Sequence, residues 1–222
     1  MLKQSFNSLL AIMALSLFIL GCGPDGERVT SGEADNSDTP EVSAATALTV
    51  DVASSVINWE GTKFIGGGHT GTINISEGTI AVQGDKIIGG NFTIDMTSLK
   101  NTDLPDDKKP NLEGHLMSPD FFDVATYPTA VFEVKNVVPA SGRDDVSHMV
   151  TGNFTMKDAT RSITIPVMVK MDDNGLQAES VDFVIDRTEW GVSYGSGLLG
   201  TAQDEMINDQ VGLKFTLVAA AK

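Results

Sequence analysis

The stretch Gly114–Val134, with the sequence GHLMSPDFFDVATYPTAVFEV, is the one part of the chain in which helix signals interrupt a pattern of β-strands. Ser118, Pro119 and Asp120 are typical of a helix start. A hydroxyl caps the first turn, proline suits the first helical position, and an acid favours the positive end of the helix dipole. Pro128 disfavours helical geometry at the preceding residue, so the helix is predicted to end within about two turns.

Two adjacent aromatic residues, Phe121 and Phe122, lie inside this short predicted helix. A helix of about two turns cannot bury both rings by itself. Directly after it, the apolar residues Ala130, Phe132 and Val134 recur at every second position, which indicates a strand. The sequence therefore predicts that the phenylalanine pair plugs something hollow built from strands.

Most of the chain after residue 47 alternates between apolar and polar residues with the period of a β-strand. One turn is predicted at Ser76-Glu77-Gly78, between two short strands, and a hairpin turn at Asp172-Asp173-Asn174-Gly175, since Asn-Gly readily accepts positive φ. Because each strand has one apolar face, the sheet must pack on another sheet or close on itself. About eight antiparallel strands can close into a barrel that side chains fill or that holds one small ligand. We predict an all-β fold, an eight-stranded antiparallel barrel plugged by short helices.

The first 22 residues are typical of a targeting segment. Lys3 precedes a predominantly apolar run, Leu9–Leu20, which is too short to span a membrane but fits a signal peptide. The run ends in Ile19-Leu20-Gly21-Cys22, which resembles a lipoprotein cleavage site. We predict a signal peptide at 1–21 and lipidation of Cys22, which is the single cysteine of the chain. The alternative is an ordinary secretory signal followed by an unrelated cysteine.

The segment 22–47 is predicted to be a disordered acidic linker. It contains six acidic residues, one arginine and no aromatic residue, so it lacks the apolar area needed to offset the entropy of ordering. The folded domain is accordingly predicted at 48–222. Because Gly23 follows the cysteine in place of an aspartate, the outer membrane is the preferred location, with the protein facing the periplasm or the surface.

The net charge of −15 argues against binding to nucleic acid, whose phosphates would repel the chain. His69, His115 and His148 lie far apart in sequence, so no metal site is predicted. Asp120 and Asp123 are explained by the predicted helix start rather than by acid–base catalysis. No motif of a catalytic nucleophile or of a cofactor site occurs. We predict a non-enzyme without a cofactor, and the oligomeric state stays open, a dimer included.

Several motifs, in this order and spacing, resemble the YceI family across residues 48 to about 220. The most specific is Phe121-Phe122-Asp123 followed by Tyr127-Pro128. The others are Trp59-Glu60-Gly61, His115-Leu116, Phe132, Gly152–Met156 with Thr160-Arg161, Asp186–Val192 and Asp204–Val211. The chain departs from the family at Trp190, where phenylalanine is more frequent, and at Lys157-Asp158, where a glycine is usual. The resemblance implies a lipocalin-like antiparallel barrel that holds a long isoprenoid or a similar amphiphile.

The candidate ligand-binding residues are mainly aromatic side chains spread over nearly every predicted element. They are Phe64, Phe92, Ile94, Phe121, Phe122, Phe132, Phe154, Phe183, Arg187 and Trp190. These rings either form a solid core or line a cavity, and the resemblance favours the cavity. Arg187 either meets a lipid head group or forms a structural ion pair with Asp186 or Glu189.

The predicted function is non-catalytic binding of a polyisoprenoid, an isoprenoid quinone or a fatty-acid-like lipid, for carriage, storage or stress protection in the cell envelope. Membrane attachment is predicted through Cys22. Two other classes stay open. One is an enzyme acting on a bound isoprenoid, for which Glu60, His115, Asp186 and Arg187 are the candidate groups. The other is a surface interaction module with a filled barrel.

Overall fold

The computed structural model describes residues 23–37 and 45–221. The predicted signal peptide, Cys22 and part of the predicted linker lie outside these ranges. Eleven strands and one α-helix follow each other in the described residues. They are β1 Glu27–Arg28, β2 Thr46–Val50, β3 Val56–Lys63, β4 Gly68–Gln83, β5 Lys86–Asn101, α1 Lys109–Met117, β6 Thr129–Pro139, β7 His148–Met156, β8 Ala159–Asp172, β9 Gly175–Ser180, β10 Phe183–Asp186 and β11 Ile207–Ala220.

The strands close into a barrel-like ring of eight positions, which confirms the predicted fold. β3 to β8 follow each other around the ring with antiparallel pairing. β9 and β10 occupy the next position in turn, and β11 returns to β3. The predicted hairpin is present, because Asp172 pairs with Gly175 across a two-residue turn. No helix in the described part of the chain is long and apolar enough to cross a membrane.

The region of the predicted turn at Ser76-Glu77-Gly78 belongs to one continuous strand, β4, which corrects the sequence prediction. The pairing with β5 shifts between Ile75 and Glu77, so the chain accommodates these polar residues as a bulge. Gly78 is needed for close packing rather than for a turn. A Cβ there would lie 2.7 Å from the Val50 side chain and 2.8 Å from the Phe92 ring.

The helix lies earlier in the sequence than predicted. It spans Lys109–Met117 with Pro110 in its first turn, and Ser118 is its C-terminal cap, not its N-cap. Residues 118–127 form successive turns, in which Asp123 has a φ of 47° and accepts hydrogen bonds from the N–H groups of Thr126 and Tyr127. Aspartate tolerates this left-handed conformation better than most residues, which gives Asp123 a backbone role in place of the predicted dipole role.

Residues 23–37 contradict the predicted disorder in their part of the linker. We call them the N-terminal strap, because they run between the edges of β8 and β10 in the barrel wall. Val29 packs against the core, and the N–H of Val29 donates to the carbonyl of Val184 at 2.9 Å. Composition predicted disorder because the strap has few apolar residues, but its backbone groups are satisfied by strand edges supplied by the barrel.

The strap fills a seam in the barrel wall. β9 pairs with the second half of β8, but β10 does not pair with β8. One edge of the first half of β8 and the outer edge of β10 therefore have no partner among the strands of the ring. Strap residues Glu27 and Arg28 pair in parallel with β10, while Gly32 exchanges two backbone hydrogen bonds with Ser162 of β8, at 2.8 and 3.1 Å. The segment after the predicted anchor therefore completes the wall.

Candidate functional site

A cavity of about 740 Å³ with predominantly apolar walls occupies the barrel interior. Two buried clusters enclose it, one around Trp190 and Leu99 and the other around Leu48 and Leu217. Four residues pack against both clusters and also line the cavity, which locates the cavity between them. They are Ile57, Val169, Ala178 and Phe215. The barrel interior is hollow between two packed ends.

Eight of the ten predicted site residues line this cavity. They are Phe92, Ile94, Phe121, Phe122, Phe132, Phe154, Phe183 and Arg187. The other two lie elsewhere. Phe64 is 43% exposed on the loop between β3 and β4, outside the cavity wall. Trp190 is fully buried in the core beside the cavity, where its Nε1 donates to the carbonyl oxygen of Phe154 at 2.9 Å.

The aromatic part of the wall depends on glycines that let rings lie flat against the backbone. The rings of Phe92 and Phe132, on neighbouring strands, stack with centroids 6.5 Å apart. A Cβ on Gly152 would lie 2.5 Å from Cζ of Phe132 and 2.6 Å from the carbonyl oxygen of Glu133. Glycine at 152 therefore allows the Phe132 ring to take its place in the wall.

Trp59 is a wall residue that was noted only as part of a motif in the sequence. It is buried, it lines the cavity, and its indole lies where a Cβ on Gly71 would overlap it. Its Nε1 has no hydrogen-bond partner in the described part of the chain. The alternation of Ile57 and Trp59 on β3 was the available signal, because both residues share the inner face of that strand.

Gly61 continues the same inner face but leaves space. It lines the cavity two residues beyond Trp59, and a Cβ there would meet nothing within 4 Å. The missing side chain at Gly61 therefore leaves cavity volume. A larger residue at this position would extend into open space.

The plug consists of α1 and the turns that follow it. Glu113 of α1 holds the end of β5, since its Oε1 accepts from the N–H of Asn101 at 2.9 Å. Phe121 is 5% exposed and faces the cavity, with its ring 5.1 Å from both the His115 ring and the Tyr194 ring. Phe122 is half-buried and also lines the cavity. The phenylalanine pair thus closes part of one end, as predicted.

Lys157 holds the plug to the barrel from the turn between β7 and β8. Its φ is 54°, and its Nζ donates to the carbonyl oxygen of Phe121 at 3.0 Å. The left-handed conformation accounts for the glycine that is usual in this turn of the family. In this chain a lysine takes the strained position and gains a contact with the plug.

Arg187 is 2% exposed and stands behind the plug, with its guanidinium 5.9 Å from the centroid of the Phe121 ring. It donates to the carbonyl oxygens of Val192 at 2.7 Å, Asn208 at 3.1 Å and Ile207 at 3.3 Å. Its ion partner is Asp209, at 3.2 Å. The expected structural pair is therefore real, but the partner is Asp209 rather than Asp186 or Glu189; Glu189 pairs with Arg161.

The environment of Arg187 works in two directions on its charge. Burial lowers the pKa of the guanidinium, while the carboxylates of Asp209 and Asp186 oppose that shift. Arginine is not deprotonated in proteins, so the buried cation depends on the nearby carbonyls and on Asp209. Arg187 lines the cavity, but its hydrogen bonds indicate that it first holds the start of β11 against the plug.

The plugged end retains an opening, which we call the mouth. Its lining comes from the end of β3, the start of β4 and the loop before β11, namely Lys63, Gly67, Gly68, His69, Asp204 and Glu205. His69 lies 3.0 Å from Asp103, which also accepts from Asn101 and from the N–H of Thr70. Burial alone would raise the pKa of Asp103, but these hydrogen bonds lower it to about 2. Four charged or titratable residues of the lining, Lys63, His69, Asp204 and Glu205, thus lie at the mouth. No group of side chains in the described residues could hold a metal ion.

A closed antiparallel barrel with a hollow apolar interior and polar groups at one mouth defines a class, the barrels built to enclose a small apolar ligand. The family comparison narrows this class. The YceI-like domain matches residues 48–219, so the chain belongs to the YceI-like family.

Two solved structures share the fold. The crystal structure of BcnA from Burkholderia cenocepacia is 25% identical with a TM-score of 0.56, covering 76% of this chain and 98% of that one. A polyisoprenoid binding domain from Saccharophagus degradans, implicated in plant cell wall breakdown, is 17% identical with a TM-score of 0.57, covering 80% of this chain and 99% of that one. Among curated proteins, no sequence matches the chain.

Proposed function

We propose that the barrel binds one long-chain amphiphile, an isoprenoid or a comparable lipid, without transforming it. The observation that carries this proposal is the apolar cavity of about 740 Å³ between two packed clusters, a size within the ordinary range of ligand pockets. The polyisoprenoid binding domain from Saccharophagus degradans supports the choice of ligand. A cavity of this size favours a lipid carrier over an interaction module with a filled barrel.

The arrangement of charged groups favours binding over catalysis. Four titratable groups of the wall, Lys63, His69, Asp204 and Glu205, lie at the mouth. The buried one, Arg187, is engaged by three carbonyl oxygens and Asp209. Of the other basic groups in the lining, Lys214 pairs with Glu179 at 2.8 Å and His115 packs edge-on against the Phe121 ring, and the rest of the wall is predominantly apolar. Affinity there comes from apolar burial, at about 0.8 kcal/mol for each buried CH₂ group.

The protein acts, in this proposal, as a lipoprotein anchored through Cys22 in the bacterial envelope, preferably in the outer membrane, where it carries or stores the lipid. The support is the apolar run Leu9–Leu20 ending at the single cysteine. Cys22→Ser should release the chain from the membrane fraction while leaving the barrel folded. Retention of the variant in the membrane fraction would contradict the anchor.

The ligand is tested by titrating the delipidated chain with prenyl alcohols of graded length against a fluorescent fatty probe. Affinity should rise with chain length until the cavity is full, and a flat response would show that apolar burial does not determine binding. Gly61→Leu should weaken binding because its side chain would enter the cavity. Gly114→Leu is the matched control, since a Cβ there also meets nothing within 4 Å but the residue lies outside the cavity wall.

A further inference from the structure

Exposed apolar side chains concentrate around the mouth. Five of the seven large apolar residues exposed in the described residues lie on two loops at this end. They are Phe64, Ile65, Tyr194, Leu198 and Leu199, which we call the apolar rim. Leu198 and Leu199 are 78% and 69% exposed, the highest values of the set. Of the remaining two, Val138 lies at the far end of β6, which leads away from the plug, and Val52 lies in the connection between β2 and β3, at the opposite end of β3 from Lys63.

The two loops form one continuous surface. The N–H of Phe64 donates to the carbonyl oxygen of Met206 at 2.9 Å, and Gly197 lies against the side chain of Met206. The N–H of Ile207 donates to the carbonyl oxygen of Gly195 at 2.8 Å. The same two loops supply mouth residues such as Gly67 and Asp204. The apolar rim therefore borders the entrance to the cavity.

The N-terminal strap begins at the same end of the barrel. Gly23 lies beside the side chain of Gln210, and Pro24 lies against Gly212. Gln210 is three residues from Ile207 along β11, which corresponds to about 10 Å in a strand. The chain that precedes Gly23 contains the apolar run Leu9–Leu20 and Cys22. Gly23, the residue that follows Cys22 in the sequence, therefore lies toward the mouth end of β11.

We propose that the apolar rim is a membrane-docking surface, which inserts into a lipid bilayer and places the mouth against it. Contiguous exposed apolar side chains are unusual on soluble proteins unless they meet a partner. A bilayer fits these observations, because it accepts apolar side chains from separate loops and supplies long apolar chains. A lipid then passes between the bilayer and the cavity without crossing water. This inference concerns a surface outside the cavity and does not depend on which ligand the cavity holds.

The charge of the mouth indicates the kind of bilayer. Asp204 and Glu205 are exposed beside the rim, and Lys63 is the single lysine or arginine among the mouth residues. Anionic headgroups carry a negative surface potential that repels such acids. The surface therefore docks through apolar insertion into a bilayer of zwitterionic lipids, and a higher fraction of anionic lipid weakens the docking.

The test uses the full chain returned to phosphatidylethanolamine–phosphatidylcholine vesicles whose acyl chains carry bromine, which quenches nearby tryptophan. Leu198→Trp places a reporter on the rim. Val138→Trp places one at the far end of the barrel, at a position whose native side chain is also exposed. The native Trp59 and Trp190 are buried inside the barrel and serve as the common background. Quenching at least twofold stronger at 198 than at 138 is the expected result.

Equal quenching at the two positions, or none at either, overturns the proposal, because an anchor alone would hold the barrel without orienting its mouth. A second measurement follows lipid transfer from vesicles into the barrel. Leu198→Ser with Leu199→Ser should slow transfer several-fold, while Val52→Ser with Val138→Ser should not. Native mass spectrometry of the same samples separates the hypotheses: a quenched rim without cavity lipid contradicts the lipid-binding function, and cavity lipid without a quenched rim contradicts the docking.

Discussion

Asn153 of β7 holds Asp35 of the N-terminal strap by two reciprocal hydrogen bonds. Its Oδ1 accepts from the N–H of Asp35 at 2.9 Å, and its Nδ2 donates to the carbonyl oxygen of Asp35 at 2.8 Å. An asparagine side chain that satisfies both backbone groups of one residue acts as a short piece of strand edge. Together with the Gly32–Ser162 pairing, it fixes the strap across the seam of the barrel.

Asn153→Ala should detach the end of the strap and lower the free energy of unfolding by about 1–3 kcal/mol, the sum expected for two hydrogen bonds. Hydrogen exchange at the N–H groups of Gly32 and Asp35 should accelerate, which localises the effect. Asn136→Ala, at an exposed position on the neighbouring strand, is the control and should change little. Unchanged exchange in the strap of the Asn153 variant would contradict its role in closing the seam.

Phe121→Ala should cost about 3–5 kcal/mol in unfolding free energy, because the ring is buried between the plug and the cavity. A ligand that occupies the vacated space would reduce this cost. Phe64→Ala removes an exposed ring of the same type and should cost no more than about 0.5 kcal/mol. Chemical denaturation of the two variants checks the prediction, and similar costs at both positions would refute the plug.

Arg187→Gln should destabilise the barrel by about 3–5 kcal/mol, since it leaves Asp209 without its cation and removes donors to buried carbonyl groups. Arg161→Gln breaks the more exposed pair with Glu189 and should cost about 1 kcal/mol or less. The comparison is made by denaturant titration. If the Arg187 variant keeps its stability and loses affinity only for acidic lipids, Arg187 is a head-group ligand rather than a structural residue.

The stability contributed by Asp103 should depend on pH in a defined window. Its pKa in the folded state is about 2, below the ordinary value of 3.8, so its contribution is complete above about pH 4 and is lost as the pH falls through about 2. Asp103→Asn removes this contribution. The difference in unfolding free energy between the native chain and the variant should therefore shrink between pH 4 and pH 2. A constant difference over that range would mean that the carboxylate gains nothing from His69 and Asn101.

The two tryptophans should respond differently to a ligand. Trp59 lines the cavity with an unpartnered Nε1, whereas Trp190 lies outside its wall and donates to Phe154. In Trp190→Phe, lipid addition should shift the emission of Trp59, because the polarity around its indole changes. In Trp59→Phe, the remaining emission should stay constant. A response from Trp190 alone would place the ligand outside the cavity described above.

The sequence by itself determined the strand pattern, the barrel and most of the apolar wall. Period-two alternation is a local property, and it assigned Phe92, Ile94, Phe132 and Phe154 to the apolar faces of their strands. The structure shows that these residues line the cavity. It also required a plug, since Phe121 and Phe122 needed a hollow partner. Turn chemistry was equally local, as the hairpin at Asp172–Gly175 shows.

Only the tertiary structure decided which residues leave the wall and what closes it. Phe64 and Trp190 have apolar side chains like the others, but the loop carries one outward and the core encloses the other. The ion partner of Arg187, Asp209, lies 22 residues away on β11. The strap was predicted to be disordered because its own composition cannot stabilise it. It is ordered because its backbone pairs with the free edges of β8 and β10. The position of a free edge depends on how strands that are distant in the sequence meet, and no local sequence pattern encodes that.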